Sequence, residues 1–239
     1  MAAEGPTPEP PEGPVVGTVA RELRAPAAAG IAGLVFTALF VLSILLLYRR
    51  PAKGSSAAEI AQWYLQHNSK TLGIVGLYLV PFAGIAFLWF TAAVRHRIGQ
   101  NEDRFFATVF FGSAILFVGM LWAAAGAAGA PLAAVKFQGA PPPSPDVFVF
   151  ARGLGYTFLF VYAIRAAAVF MIVSSTIGLR TRTLPRWLAY LGILVALVLL
   201  FSVSYSRIFV LIFPAWVAVI SVELLAKARS ASLTGRTAR

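Results

Sequence analysis

Apolar runs of spanning length recur along the chain, separated by short polar or proline-rich stretches. The first runs from Pro26 to Leu47 and ends in Tyr48, Arg49 and Arg50. About 22 residues at about 1.5 Å rise per residue cross a hydrocarbon layer of roughly 30 Å. Pro26 suits a first helical turn, where its missing N–H costs nothing. No A-x-A-like cleavage pattern follows, so the run reads as a retained span rather than a removed signal. Ala29 and Gly33 form a small-xxx-small pair suited to close helix packing. The second run, Thr71 to Val94, contains Pro81, which removes one helix hydrogen bond and leaves the Leu77 carbonyl without its usual donor. A third run extends from Phe105 to about Gly129, a fourth from Val147 to Arg180, a fifth from Trp187 to Val203 and a sixth from Ile208 to Leu225. Pro214 in the sixth frees the Val210 carbonyl in the same way.

The connections carry their own signals. Ser56-Ala57-Ala58-Glu59 fits a capping box, and Ala57, Ile60, Ala61, Tyr64 and Leu65 then recur at helical spacing beside Trp63. This predicts a short amphipathic helix on the membrane surface, or a lid over the bundle's outer mouth. Asn101, Glu102 and Asp103 precede the third span and suit its N-terminal cap. PLAAVKFQGAPPPSPD reads as a proline-rich loop before the fourth span. The expected architecture is all-α, a polytopic transmembrane bundle of six spans over residues 26–229. A disordered Pro/Glu-rich tail over residues 1–25 precedes it, and a basic tail over residues 230–239 follows.

Composition narrows the class. With 59% hydrophobic and 12% charged residues among 239, there is too little polar surface for a soluble globule of this size. The net charge of +11 is spread over short loops and tails, which anchors loops to anionic lipid and excludes a nucleic-acid surface. The tails and the loops after spans two and four together carry 12 lysines and arginines against six in the other three loops, so both termini are expected in the cytoplasm of an inner-membrane protein, although the first loop, with Arg49, Arg50, Lys53 and Lys70, argues weakly the other way. There is no cysteine, and His67 and His96 fall on opposite sides of the membrane in this topology. No H-E-x-x-H, P-loop or G-x-S-x-G pattern is present, so no catalytic, cofactor or metal site is read and the chain is not read as an enzyme.

Charge inside the spans supplies the candidate site. Arg165 lies about 22 Å along the helix from Arg180, within the hydrocarbon, while Arg152 reaches the outer headgroups or beyond. Glu223 is too shallow to meet Arg165 and is expected to pair with Lys227, four residues on. Carbonyls freed by Pro81 and Pro214 are therefore the expected acceptors for the Arg165 guanidinium. The candidate set is Arg165, Arg152, Tyr162, Leu77, Pro81 and Pro214. It reads as a polar strut joining spans two, four and six, or as an anion or headgroup site.

LPRWLAYLG (Leu184 to Gly192), EDRFFATVFFGS (Glu102 to Ser113) and PFAGIAFLWF (Pro81 to Phe90) resemble stretches of bacterial multi-span membrane proteins of families without known function. The resemblance implies a six-helix inner-membrane protein and assigns no catalytic residue. The function expected is that of a non-catalytic interaction, accessory or scaffold subunit, or else a small permease or lipid- or anion-binding protein. The expected partners are membrane lipid and either other membrane proteins or a second copy of the chain.

Overall fold

The computed structural model describes residues 16–47, 51, 54–98, 104–202 and 206–237. Among these the regular structure is entirely helical. The helices are α1 (Val16–Leu47), α2 (Ala57–Leu65), α3 (His67–Ile98), α4 (Arg104–Phe137), α5 (Pro145–Tyr156), α6 (Ile164–Arg180), α7 (Arg186–Phe201) and α8 (Arg207–Thr237). A π-helical segment, Thr157–Ala163, joins α5 to α6 without a break. Five segments are long and apolar enough to cross a membrane, within α1, α3, α4, the continuous α5–α6 rod and α8. α7 is a shorter apolar helix. The protein is an all-α multi-pass membrane protein.

The described helices differ from the expected runs mainly at their ends. α1 begins at Val16, so Pro26 lies inside it rather than in its first turn. α4 runs through Pro131 as far as Phe137, although a loop is expected there. Burial of Leu132 draws that extra turn into the packed structure, and membrane helices tolerate the hydrogen bond lost at proline. Gly139, at a φ of 67°, then turns the chain, and the N–H groups of Gln138 and Ala140 both return to the Ala134 carbonyl. α8 continues to Thr237 through Ala, Lys, Arg and Leu, good helix formers that carry it past the apolar run. Residues 1–15, the expected cap at Asn101, Glu102 and Asp103, and the first half of the SYSR turn lie outside the described residues.

One end of the bundle is basic. Arg95 of α3 lies over the Phe111 ring of α4, and Arg180 of α6 over the Phe106 ring. Lys227 Nζ donates to the Thr183 carbonyl at 2.6 Å. The expected Glu223–Lys227 pair is therefore not made, because the nearby loop carbonyl takes the ammonium. Arg182, at a φ of 54°, makes the left-handed turn that ends α6, a conformation rare outside glycine. The opposite end carries α2. Its capping box forms as the sequence specifies: Glu59 N–H donates to Ser56 Oγ at 3.3 Å, and Ser56 N–H to Glu59 Oε2 at 2.7 Å. Ile60 and Tyr64 are buried against Leu132 of α4 and Phe148 of α5, a small core separate from the main one.

The main core is aromatic. Phe36, Phe87, Phe117, Phe170 and Phe213 come from α1, α3, α4, α6 and α8, and all are buried. Phe87 stands centrally, with its centroid 4.9 Å from Phe36, 5.0 Å from Phe117, 5.0 Å from Phe170 and 5.5 Å from Phe213. α1 lies antiparallel to both α3 and α8, and Gly33 makes this possible. A Cβ there would collide with Ser221 Oγ and reach Phe90 at 2.8 Å. α7 docks on α6 through Gly192, where a Cβ would collide with Ser175 Oγ and Trp216 Nε1. Those two polar atoms are buried without a hydrogen-bond partner among the described residues.

Replacing Phe87 with Ala removes the ring that the other four share. The expected cost is about 3 to 5 kcal/mol, read as a lowered unfolding midpoint in mixed micelles. Ser56→Ala has a local effect, about 0.5 to 2 kcal/mol, seen as faster amide exchange confined to residues 57–65.

Candidate functional site

The rod of α5, the π segment and α6 positions the one intramembrane arginine among the described spans. In the π segment the backbone spacing widens to five residues, so that the Ile164 N–H closes on the Leu159 carbonyl. The return to four-residue spacing re-allocates the carbonyls of this turn among the available donors. Arg165, immediately after, folds its side chain back toward the helix N-terminus. Its Nη1 donates to Phe160 O at 3.1 Å and to Val161 O at 2.8 Å. Nε and Nη2 make no hydrogen bond among the described residues.

Arginine is thus held by carbonyls, but not by those the prolines free on other helices. The other candidates are dispersed. Leu77 packs across α4, its Cδ2 2.6 Å from where a Cβ on Gly129 would stand. Pro81 is exposed on α3, and Pro214 is buried in α8. Near Pro214 the polar partner is Thr37, whose hydroxyl donates to Gly33 O at 2.9 Å and to Pro214 O at 3.1 Å. Arg152 belongs to the cap end: its Nη1 donates to Pro51 O at 2.9 Å, and its guanidinium lies 5.1 Å from the Tyr156 ring centroid. The expected strut through spans two, four and six is not formed, because Arg165 reaches its own helix first.

Arg165 and Tyr162 do come together, in the wall of a lateral groove of ≈ 750 Å³ between α4 and the π–α6 rod. On the α4 side Gly112, Ser113, Leu116 and Met120 line it; on the other, Phe158, Val161, Arg165 and Val169. Gly112 would have nothing within 4 Å of a Cβ, which leaves this flank open. The Ser113 hydroxyl is committed to the Phe110 carbonyl at 3.0 Å. Tyr162 is half exposed, and its hydroxyl has no hydrogen bond among the described residues. The unspent polar capacity of the groove is therefore the Nε and Nη2 donors of Arg165 and the Tyr162 hydroxyl, against otherwise apolar walls.

Depth gives this arrangement its chemistry. The Phe160 and Val161 carbonyls lie about 28 Å along the rod from Arg180, so the guanidinium stands near the far edge of a hydrocarbon layer of about 30 Å. With Arg180 taken as one boundary of that layer, the Arg165 side chain reaches from a Cα deeper inside toward its far edge, the direction in which long cationic side chains snorkel. From there the groove descends to Val169, about 16 Å from Arg180. Sequence reasoning found the arginine and the tyrosine but missed Gly112, Phe158 and Val169. They are ordinary apolar or small positions whose role appears only once α4 and the rod stand side by side.

If Arg165 stabilises the wide turn, Arg165→Leu is expected to raise amide exchange over residues 157–165 while leaving exchange around Phe87 and Phe117 unchanged. Unchanged exchange in the π segment would show that packing alone holds it. Among protein-family models, curated proteins and solved structures the chain matches none, so the groove's function rests on its own geometry.

Proposed function

We propose that the protein is a non-catalytic binding protein of the inner membrane that holds an anionic amphiphile in the groove between α4 and the π–α6 rod. The anion meets Arg165 and the apolar chain lies along the groove toward Val169. The observation that carries this reading is the guanidinium itself. Two carbonyls hold its Nη1 near the headgroup level, which fixes its orientation and leaves Nε and Nη2 for a ligand. A phosphate or carboxylate accepts such a pair of donors in a charge-assisted, bidentate manner. Tyr162, about one turn away on the same wall, offers a further donor. A scaffold role would use the carbonyl bonds and leave these donors and the open groove without a partner.

The reading takes the basic end as cytoplasmic and both termini as cytoplasmic, since cationic side chains collect on that side. It also takes the chain to cross six times. α7 starts beside Arg180, and α8 starts 20 residues before Lys227, which reaches the same basic end. In this reading α7, although only 16 residues long, is the helix that crosses the layer between them.

Native mass spectrometry of protein released from membranes containing phosphatidylglycerol and phosphatidylcholine tests the binding. The expected result is one retained phosphatidylglycerol per chain, lost in Arg165→Leu and weakened in Arg165→Lys, whose point charge lacks the planar fork. Equal retention of both lipids by the parent, or unchanged retention in Arg165→Leu, would refute it.

A further inference from the structure

The groove does not end at the membrane boundary. Along α5, Val147, Phe150 and Leu154 stand 52%, 71% and 39% exposed. Their spacing of three and four residues places them on one helix face, and four residues on is Phe158, which lines the groove. The packed flank of α5 lies about a quarter-turn round the helix from this stripe: Phe148 is in the small core with α2, and a Cβ on Gly155 would lie 2.7 Å from Ala128 Cβ. The exposed apolar stripe is thus continuous with the groove wall.

Its position relative to the bilayer is unusual. At about 1.5 Å per residue, Leu154 lies roughly 39 Å and Phe150 roughly 45 Å along the rod from Arg180. With Arg180 taken as the inner boundary, the hydrocarbon ends near 30 Å and each headgroup layer adds about 5 to 7 Å, which puts Phe150 beyond the outer headgroups even when the rod tilts by about 20°. Lipid does not account for apolar side chains exposed at that height, and contiguous apolar surface in water marks an interaction site. α2 and Arg152 close the other side of this end of the bundle, through Ile60 and Tyr64 against Phe148 and through the bond to Pro51. Among the described residues the stripe is left uncovered.

We infer that the stripe and the groove form a single track for an acyl chain, and that the protein passes its bound anionic lipid out of the outer leaflet toward an acceptor on the aqueous side. This rests on the lipid-binding reading above. The occupant of the stripe is the chain of the same amphiphile. As the headgroup leaves Arg165 outward, the chain trades the groove walls for Phe158, then Leu154, then Phe150, so that at no step is its whole length in water. Burying the chain against these side chains lowers the barrier to extraction, which otherwise grows with every methylene exposed. No bond is made or broken.

The experiment reconstitutes the full chain in donor vesicles of phosphatidylcholine containing fluorescent phosphatidylglycerol. Transfer to acceptor vesicles of phosphatidylcholine is followed, and retained lipid is counted by mass spectrometry on the same preparations. The parent is expected to accelerate transfer, and Arg165→Leu to lose both retention and transfer. The double variant Phe150→Asn with Leu154→Asn is expected to keep its retained phosphatidylglycerol, which shows that the groove is intact. Its transfer should fall by about tenfold, the factor corresponding to roughly two methylenes of lost burial. Phe150→Leu with Leu154→Met, which keeps the stripe apolar, should transfer at nearly the parent rate. Retention without accelerated transfer in the parent, or undiminished transfer in the asparagine variant, would overturn the track and leave the binding site standing. Absence of retained lipid in the parent would remove the binding reading and the track with it.

Discussion

Five phenylalanines meeting at Phe87 set the geometry of this protein. Between membrane helices there is no water to expel, so their association depends on close packing and on the few specific contacts that lipid cannot match. A ring from each of α1, α3, α4, α6 and α8 supplies that packing at one level, in tilted and edge-to-face pairs that suit the aromatic quadrupole. Small residues let the backbones approach around it. Gly33 admits Ser221 and Phe90, Gly84 has Trp122 and Val118 where a Cβ would stand, and Gly192 receives α7. α7 sends no ring into the centre, which fits its place outside it, against α6.

With both halves of the rod fixed, the segment between them has to absorb any mismatch in register. α6 is tied to the centre through Phe170, and α5 is tied to the cap through Phe148 and to α4 through Gly155. The π segment reconciles these two packings by widening the helix for seven residues. π segments leave carbonyls in altered positions, and Arg165 is the residue placed to use them. The same feature that relieves a packing conflict therefore orients a guanidinium at the mouth of an open groove. A structural irregularity and a binding group at one place have a common origin here.

The second constraint is length. α4 spans 34 residues and the α5–α6 rod a comparable distance, each near 50 Å, well beyond the hydrocarbon. The surplus is gathered at the end opposite the basic one, where α2 lies across α3, α4 and α5 and buries a separate small core. This cap covers one side of the protruding helices. The side it leaves open carries Val147, Phe150 and Leu154, above the groove that holds Arg165.

Much of the fold was legible in the sequence because the bilayer imposes a length and a polarity that apolar runs must satisfy. The order of the apolar helices, the capping box at Ser56 with Ile60 and Tyr64 inward and the close approach at Gly33 all follow from local spacing. So did the singling out of Arg165, since a charge at that depth is conspicuous in any apolar run. Tertiary structure alone decided what Arg165 touches. Depth along separate helices matched it to Leu77 and Val210, but depth carries no rotation, and the carbonyls of Phe160 and Val161 on its own helix were nearer. The π segment could not be read either, because it answers to Phe148 and Phe170 being packed at once, by partners distant in the chain. Nor could the groove, which is the space left between α4 and the rod when rings elsewhere hold them apart. Sequence fixes which residues are apolar or charged and how far apart along a helix they stand. Which of them face one another depends on helix rotation and crossing, set by the whole bundle together.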